Sequence, residues 1–357
     1  MTDQYRERSK GDVVMGSALE SKLEMAIANL NRVHLGEVNT PLEHLPRFSA
    51  ALGGPQVYIK RDDLTGLAFG GNKTRMLEYS LAVAVERGAD TIVFGAAVQS
   101  NYCRQLAGAC AKLGITLYLI LRSEREIDKT AITGNNLIQR LLGAHVTVLS
   151  DNDRERQQEA IAAKAEELRA AGHNVYVPRQ ADTIDLDVIA YAQSALEVVR
   201  QSREQGVELQ HMYVSAADTT QAGLVLGLKA VGNPMQVKGI NPSSKNGNEE
   251  RMAEMANQAA ERLDLDVTLT AADFDNDDSF IGERYGIPTP EGLEALRLLA
   301  RTEGVLTDPV YTSKALSGLV AHIRGGALPA QEPVVFVHTG GTPAIFGYTD
   351  EMVAALA

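Results

Sequence analysis

From about residue 55 to the end of the chain, short runs of β-branched and aliphatic residues alternate with longer stretches whose apolar positions recur every three to four residues. The short runs fit strands buried on both faces, and the long stretches fit helices packed by one face. Strands are predicted at Val57–Lys60, Thr91–Gly95, Thr116–Leu121, His145–Leu149, Asn174–Val177, His211–Ser215, Gln236–Ile240 and Val334–His338. Helices are predicted over 73–87, 101–113, 131–142, 153–171, 187–205, 220–230, 248–263, 291–302 and 312–323. This order is the signature of βαβ units, and so of an α/β protein with open parallel sheets flanked by helices. Ahead of it, Met15–Leu30 carries apolar residues at helical spacing with no strand nearby, an appended helix suited to capping the main body or supporting a dimer. The polar or acidic segments 241–249 and 273–278 read as surface loops.

Length and charge narrow the picture. With 357 residues, 45% of them hydrophobic, the chain can bury one large core or two moderate ones, and two lobes are expected. A net charge of −12 without a basic run argues against nucleic acid or an anionic membrane as partner. The longest purely apolar runs, such as Leu117–Leu121, are far too short to span a bilayer, so a cytoplasmic protein is expected. Cys103 and Cys110 fall seven residues apart in one predicted helix, roughly 10 Å along its axis. That separation exceeds the ~7 Å a disulfide tolerates, and the pair reads as small buried apolar residues with no metal site nearby.

Candidate chemistry gathers at four turns where a strand feeds a helix. In Gly70-Gly-Asn-Lys73 the glycines permit a tight turn, and Lys73 at a helix N-terminus is biased toward the neutral amine that Schiff-base chemistry needs. The bland reading is a loop ending in a solvated lysine. Around Gln99-Ser-Asn101, a hydroxyl, an amide and free N–H groups at a helix start can receive a carboxylate, and Ser100 or Asn101 can equally be a plain N-cap. In Ser215-Ala-Ala-Asp-Thr-Thr220, Thr219 and Thr220 can hold a phosphate or Asp218 can cap the helix, with the charge of Asp218 opposing an anion. Finally His338-Thr-Gly-Gly341 places Thr339 and Gly340 at a carboxyl edge, where open α/β sheets bind ligands. Four such turns imply one shared cleft.

These motifs, with Thr-Pro-Leu-Glu at 40–43, Lys-Arg-Asp-Asp-Leu-Thr-Gly at 60–66 and Leu-Thr-Asp-Pro-Val-Tyr-Thr at 306–312, resemble the D-cysteine desulfhydrase and aminocyclopropane-carboxylate (ACC) deaminase family. That family lies within the tryptophan-synthase-β-like, fold type II enzymes that use pyridoxal 5′-phosphate. The resemblance implies a large cofactor-binding lobe of residues 36–75 and 188–357, a smaller inserted lobe of 76–187 and a helical extension of 1–35. It further implies that Lys73 holds the cofactor as a Schiff base, that Asn72 bonds its phenolic oxygen, and that the turn Ala217, Asp218, Thr219, Thr220 holds its phosphate. Gln99, Ser100 and Asn101 would receive the substrate carboxylate, with Ser100 near Cα, and Tyr285 and Tyr311 would face the substrate. A homodimer is expected.

Thr312 separates members of the family. ACC deaminases carry a glutamate there to protonate the cofactor's pyridine nitrogen, whereas a hydroxyl cannot hold that charge. The expected reaction is therefore α,β-elimination from a small β-substituted amino acid such as D-cysteine or cysteate, giving a keto acid and ammonia, with ring opening or a non-catalytic binding role as alternatives. Three departures stand out. Met76 replaces a lysine that usually reaches the cofactor phosphate, and Asp218 replaces a glycine. Arg75 or Arg179 are candidates to restore the lost cation. Pro178-Arg-Gln-Ala-Asp182 replaces a glycine- and serine-rich segment, where Arg179 would meet a second acidic group of the substrate or simply lie at the surface. No Gly-x-Gly-x-x-Gly opens a helix, which argues against a dinucleotide.

Overall fold

Main-chain pairing in the computed structural model, which describes residues 10–215, 218–243 and 248–356, sorts ten strands into two sheets. The strands are β1 (Leu42–His44), β2 (Val57–Lys60), β3 (Thr91–Phe94), β4 (Thr116–Arg122), β5 (His145–Leu149), β6 (Val175–Tyr176), β7 (His211–Ser215), β8 (Gln236–Ile240), β9 (Asp275–Asp277) and β10 (Val334–Val337). The helices are α1 (Lys10–Ala28), α2 (Pro46–Leu52), α3 (Lys73–Glu86), α4 (Asn101–Leu113), α5 (Gly134–Leu141), α6 (Arg154–Ala170), α7 (Ile184–Glu204), α8 (Thr219–Ala230), α9 (Asn248–Arg262), α10 (Pro290–Glu303), α11 (Thr312–Arg324) and α12 (Thr349–Ala354). One sheet has the order β1-β2-β10-β7-β8-β9, parallel except for β1, and the other has the order β5-β4-β3-β6, parallel throughout. The mixed α/β architecture with helix-flanked parallel sheets agrees with the sequence pattern.

Elements β1, α2 and α12 lie outside the predicted set, and two further elements differ from the pattern. The stretch read as a loop over 273–278 contains β9, which runs parallel to β8 as an edge strand. Its residues Asp275, Asn276 and Asp277 have no apolar alternation to signal a strand; Lys238 pairs with Asp275 at 2.7 Å and His322 with Asp277 at 3.0 Å. Charged residues of this kind also suit a sheet edge. Helix α7 begins at Ile184 and not at 187, which turns Asp187 inward.

Helix α3 belongs to two cores at once. Met76 and Tyr79 pack into the core beneath β7 and helices α7 and α8, while Leu77, Leu81 and Ala84 pack with α4 and β4. Lys73, at its first turn, therefore sits where the two sheets meet. Helix α1 docks Leu23 and Ile27 into the first of these cores, and its Glu20 binds Arg203 at 2.7 Å, so the N-terminal helix clamps α7.

Under this junction lies a buried charged network. Arg75, 1% exposed, binds Asp62 at 2.9 Å and Glu197 at 2.8 Å; Lys60 reaches Glu197 at 2.9 Å and Tyr191 donates to Asp62 at 2.6 Å. Each charge has a partner, as a buried ion requires. No helix among the described residues is long and apolar enough to cross a membrane.

Candidate active site

The carboxyl ends of β2, β3, β7 and β10 lead into the turns that line one cleft of about 280 Å³. At its floor stands Lys73. The loop before it is wound tightly: Ala68 and Phe69 take positive φ of 46° and 69°, and Gly70 and Gly71 follow at 69° and 129°. A Cβ on Gly70 would lie 2.0 Å from the Asp63 carbonyl oxygen, so glycine is obligatory. Buried Arg104 donates to the carbonyls of Ala68 and Gly70 and locks the loop. The second Gly-Gly turn docks onto the first: Asn72 N–H donates to the Thr339 carbonyl at 2.9 Å, and a Cβ on Gly340 would lie 2.6 Å from Gly71 Cα. Gly340 thus packs behind Lys73, while Thr339 lines the cleft.

Burial, reinforced by the positive charge of Arg179, lowers the Lys73 amine to a pKa of about 8. Among the described residues its hydrogen-bonding partner is the Met76 sulfur at 3.6 Å, a weak acceptor. Asn72 Nδ2 donates to Thr220 Oγ1 at 3.0 Å, and Thr220 also lines the cleft. The Thr219 hydroxyl turns toward Met76, 4.0 Å away, and Asp218 precedes it as the N-cap of α8. Ala217 lies outside the described residues.

Arg179 joins this group. Its Nη2 donates to Asp218 Oδ2 at 2.8 Å, its Nε lies 3.5 Å from Asp187 Oδ2, and its guanidinium sits over the Tyr102 ring at 5.5 Å. The surface reading of Arg179 is thereby set aside. Although burial pushes Asp218 upward, Arg179 holds it well below the usual carboxylate range. Burial dominates at Asp187, raising it to about 6; neither of its oxygens finds a hydrogen bond among the described residues. Asp187 escaped the sequence reading because an acidic residue in a helix's first turn looks like a dipole partner. Arg75, the other suggested cation, is excluded by geometry, since Asp62 and Glu197 consume its guanidinium away from the cleft.

Across from Lys73, Ser100 caps α4 by accepting the Cys103 N–H at 3.1 Å, and it lines the cleft as well. Asn101 reaches Asp308 at 3.4 Å and accepts from Asn135 at 2.8 Å. Gln99 points elsewhere: it donates to the Thr133 carbonyl at 3.1 Å and accepts the Asn135 N–H at 2.9 Å, bracing the start of α5 outside the Lys73 cleft. Tyr285 and Tyr311 line the cleft together. Buried Lys314 fixes the first of them by donating to the carbonyls of Ile281 and Arg284 at 2.6 and 3.1 Å. Thr312 is fully buried, and its hydroxyl accepts the Asp308 N–H at 2.7 Å.

Comparison with known proteins agrees with this architecture. A family model described as pyridoxal-phosphate dependent enzyme matches residues 33–340. The crystal structure of an ACC deaminase homologue superimposes with a TM-score of 0.83 at 32% identity, covering 94% of this chain and 99% of that one. Processed threonine deaminase isoform 2 from Solanum lycopersicum (TM-score 0.63, 15% identity, 95% and 88% covered) and Escherichia coli diaminopropionate ammonia lyase (TM-score 0.62, 15% identity, 94% and 90% covered) share the fold. The chain belongs to the pyridoxal-phosphate dependent enzyme family, and its cofactor is pyridoxal phosphate.

Proposed function

We propose that this enzyme carries out α,β-elimination on a small β-substituted amino acid, releasing the β-group and leaving a keto acid and ammonia. The observation that carries the proposal is Lys73, an amine brought to a pKa of about 8 at the floor of a cleft whose opposite wall is the N-terminus of α4. The residues present fit the cofactor. Among the described residues the Lys73 amine has a sulfur as its hydrogen-bonding partner and the buried Ser215 hydroxyl has none, and the Asn72 amide and Thr220 hydroxyl flank the lysine.

Lys73 would hold the cofactor, with Asn72, Thr219 and Thr220 around it. When bound, pyridoxal phosphate supplies an electron sink for the bonds at the substrate Cα. Lys73 Nζ then takes the α-proton, a task matched to an amine titrating near neutrality. The α4 N-terminus with Ser100 and Asn101 receives the substrate carboxylate. Ser100 keeps its hydroxyl proton for that bond, because its capping contact uses only an oxygen lone pair. Tyr285 and Tyr311 hold a proton for the leaving group, and Tyr102 with Phe94 walls off water.

Thr312 offers no charge to a protonated pyridine nitrogen, which supports prompt loss of a β-substituent over ring opening. Ring opening is the second reading, favoured by the 32% identity to an ACC deaminase homologue. A cytoplasmic homodimer completes the proposal, its dimeric part supported by the exposed apolar side chains of Phe69 and Phe346. The test is release of keto acid and ammonia from D- and L-cysteine, cysteate, β-chloroalanine, serine and ACC. Turnover of one or more β-substituted amino acids, abolished by Lys73→Ala, is expected; turnover of ACC alone would overturn the reading.

A further inference from the structure

We propose that Arg179 is the cation that receives the cofactor's phosphate group in this chain, with Asp218 and Asp187 as its positioning residues. A phosphate dianion entering a partly closed cleft needs a charged partner there. Among the described residues, Arg75 follows Lys73 on α3, and Arg122, Arg154 and Arg179 line its cleft. Arg75 is consumed by Asp62 and Glu197, and Arg122, at the end of β4 in the four-stranded sheet, is tied through Nε and Nη1 to Glu124 at 3.1 Å, Asn152 at 2.9 Å and Gln157 at 2.8 Å. Arg154 is an exposed residue opening α6 at the rim, on the side of the four-stranded sheet. Arg179 is bonded to Asp218, the residue that opens α8, and so stands beside the helix N-terminus carrying Thr219 and Thr220.

Three further features single it out. Arg179 has φ of +62°, a left-handed backbone that side-chain-bearing residues adopt at a cost and that persists where its surroundings hold it. Its guanidinium has five N–H donors, of which Asp218 takes one, while Asp187 sits at ion-pair distance without a hydrogen bond. The planar fork therefore keeps donors for a second anion. On the next turn of α3, the side chain nearest the Lys73 amine is the uncharged, buried Met76.

Two carboxylates and a dianion would overload one guanidinium. Asp187 relieves this. The charged groups facing it are Arg179, Lys73, Asp218 and Asp185, with the Tyr102 hydroxyl nearby, and burial has already moved it toward the neutral form. It takes up a proton as the phosphate arrives, leaving Asp218 to hold the guanidinium.

The test compares binding of pyridoxal phosphate and of pyridoxal, which lacks the phosphate, to apoenzyme by absorbance titration. Wild type is expected to prefer the phosphorylated form, and Arg179→Ala to lose about 10–100-fold of that preference, the size of a charge-assisted contact; the effect of the lost charge on Lys73 is common to both ligands and cancels in the ratio. Met76→Lys in the Arg179→Ala background should restore part of it, and inorganic phosphate should raise the melting temperature of wild-type apoenzyme but not of Arg179→Ala. Should Arg179→Ala fail to fold, Arg179→Lys serves, with an intermediate preference expected. An unchanged preference in the folded variant, or a change confined to KM for substrate, would overturn the proposal. It relies on Lys73 as the cofactor lysine: were that wrong, wild type itself would develop no cofactor absorbance, whereas failure of the present inference leaves wild type loaded.

Discussion

The hydroxyls of Tyr285 and Tyr311 meet at 2.5 Å, their rings edge to face with centroids 5.5 Å apart. Burial raises Tyr285 to about 12 and Tyr311 well above the usual phenol value, so both stay protonated and one hydrogen is held between them. In the proposed elimination, a pair of this kind would be a proton reserve beside the substrate. Tyr311→Phe is expected to lower kcat about 100-fold for a substrate whose leaving group must be protonated, such as serine, the usual scale for a positioned acid. With β-chloroalanine, whose chloride leaves without a proton, the loss should shrink to a few-fold; equal losses on both substrates would remove the pair's role as acid.

Lys73 sets a pH dependence on cofactor uptake. Its folded-state pKa near 8 lies below the ordinary value of about 10.4, so the native state releases this proton before the unfolded chain does. The contribution to stability is unfavourable below pH 8 and recovers as pH rises toward 10.4. The rate at which apoenzyme develops visible absorbance with pyridoxal phosphate should rise through a midpoint near pH 8. A midpoint near 10 would show that the amine is not perturbed.

Asp187 works in the opposite sense. Its folded pKa of about 6 exceeds the unfolded value of about 3.9, so the native apoenzyme keeps a proton that the unfolded chain has lost. That stabilisation is complete below pH 4 and disappears as pH rises through 6. Asp187→Asn should therefore match wild type in urea unfolding at pH 4 and exceed it by up to ~2–3 kcal/mol at pH 7. No gain at pH 7 would mean that its pairing with Arg179 outweighs burial.

The network beneath the site should govern stability and spare cofactor selectivity. Tyr191→Phe removes the 2.6 Å bond to the buried Asp62 carboxylate and is expected to cost ~1–3 kcal/mol in urea unfolding. The preference for pyridoxal phosphate over pyridoxal should be unchanged. A lost preference would tie the network to the site through α3.

Gly340 tests the docking of the two glycine turns. Gly340→Ala would drive a Cβ to 2.6 Å from Gly71 Cα, at a φ of 89° that alanine rarely adopts. Displacement of the Lys73 loop should weaken cofactor binding more than tenfold, read by the same titration. Wild-type affinity would show that the turns can separate freely.

Much of this was legible in the sequence because it is local. The strand at Val57–Lys60, the glycine turns and the helix starting at Lys73 each follow from a few adjacent residues. Segments with no apolar rhythm carried no such mark: β9 is made of Asp275, Asn276 and Asp277, and its strand character comes from main-chain pairing with β8. Charged partners distant in the chain were likewise invisible. Nothing near Arg75 indicates that Glu197 will take it, and nothing near Arg179 points to Asp218. Gln99 sits in a legible motif yet faces Asn135, because the strand-to-helix turn fixes only which residues lie near the cleft, and packing against α5 decides where each side chain turns.

Strand β2, formed early in the chain, pairs with β10, close to its end. During synthesis the segment bearing Lys73 leaves the ribosome long before the strand that completes the sheet beside it, while the four strands of the second sheet, all between residues 91 and 176, can pair among themselves in the interval. Closure of the larger sheet is thus a late, long-range event of the kind that slows folding. A chain halted before residue 334 would carry Lys73 without the strand that completes the sheet beside it, and so without a finished cleft around the amine.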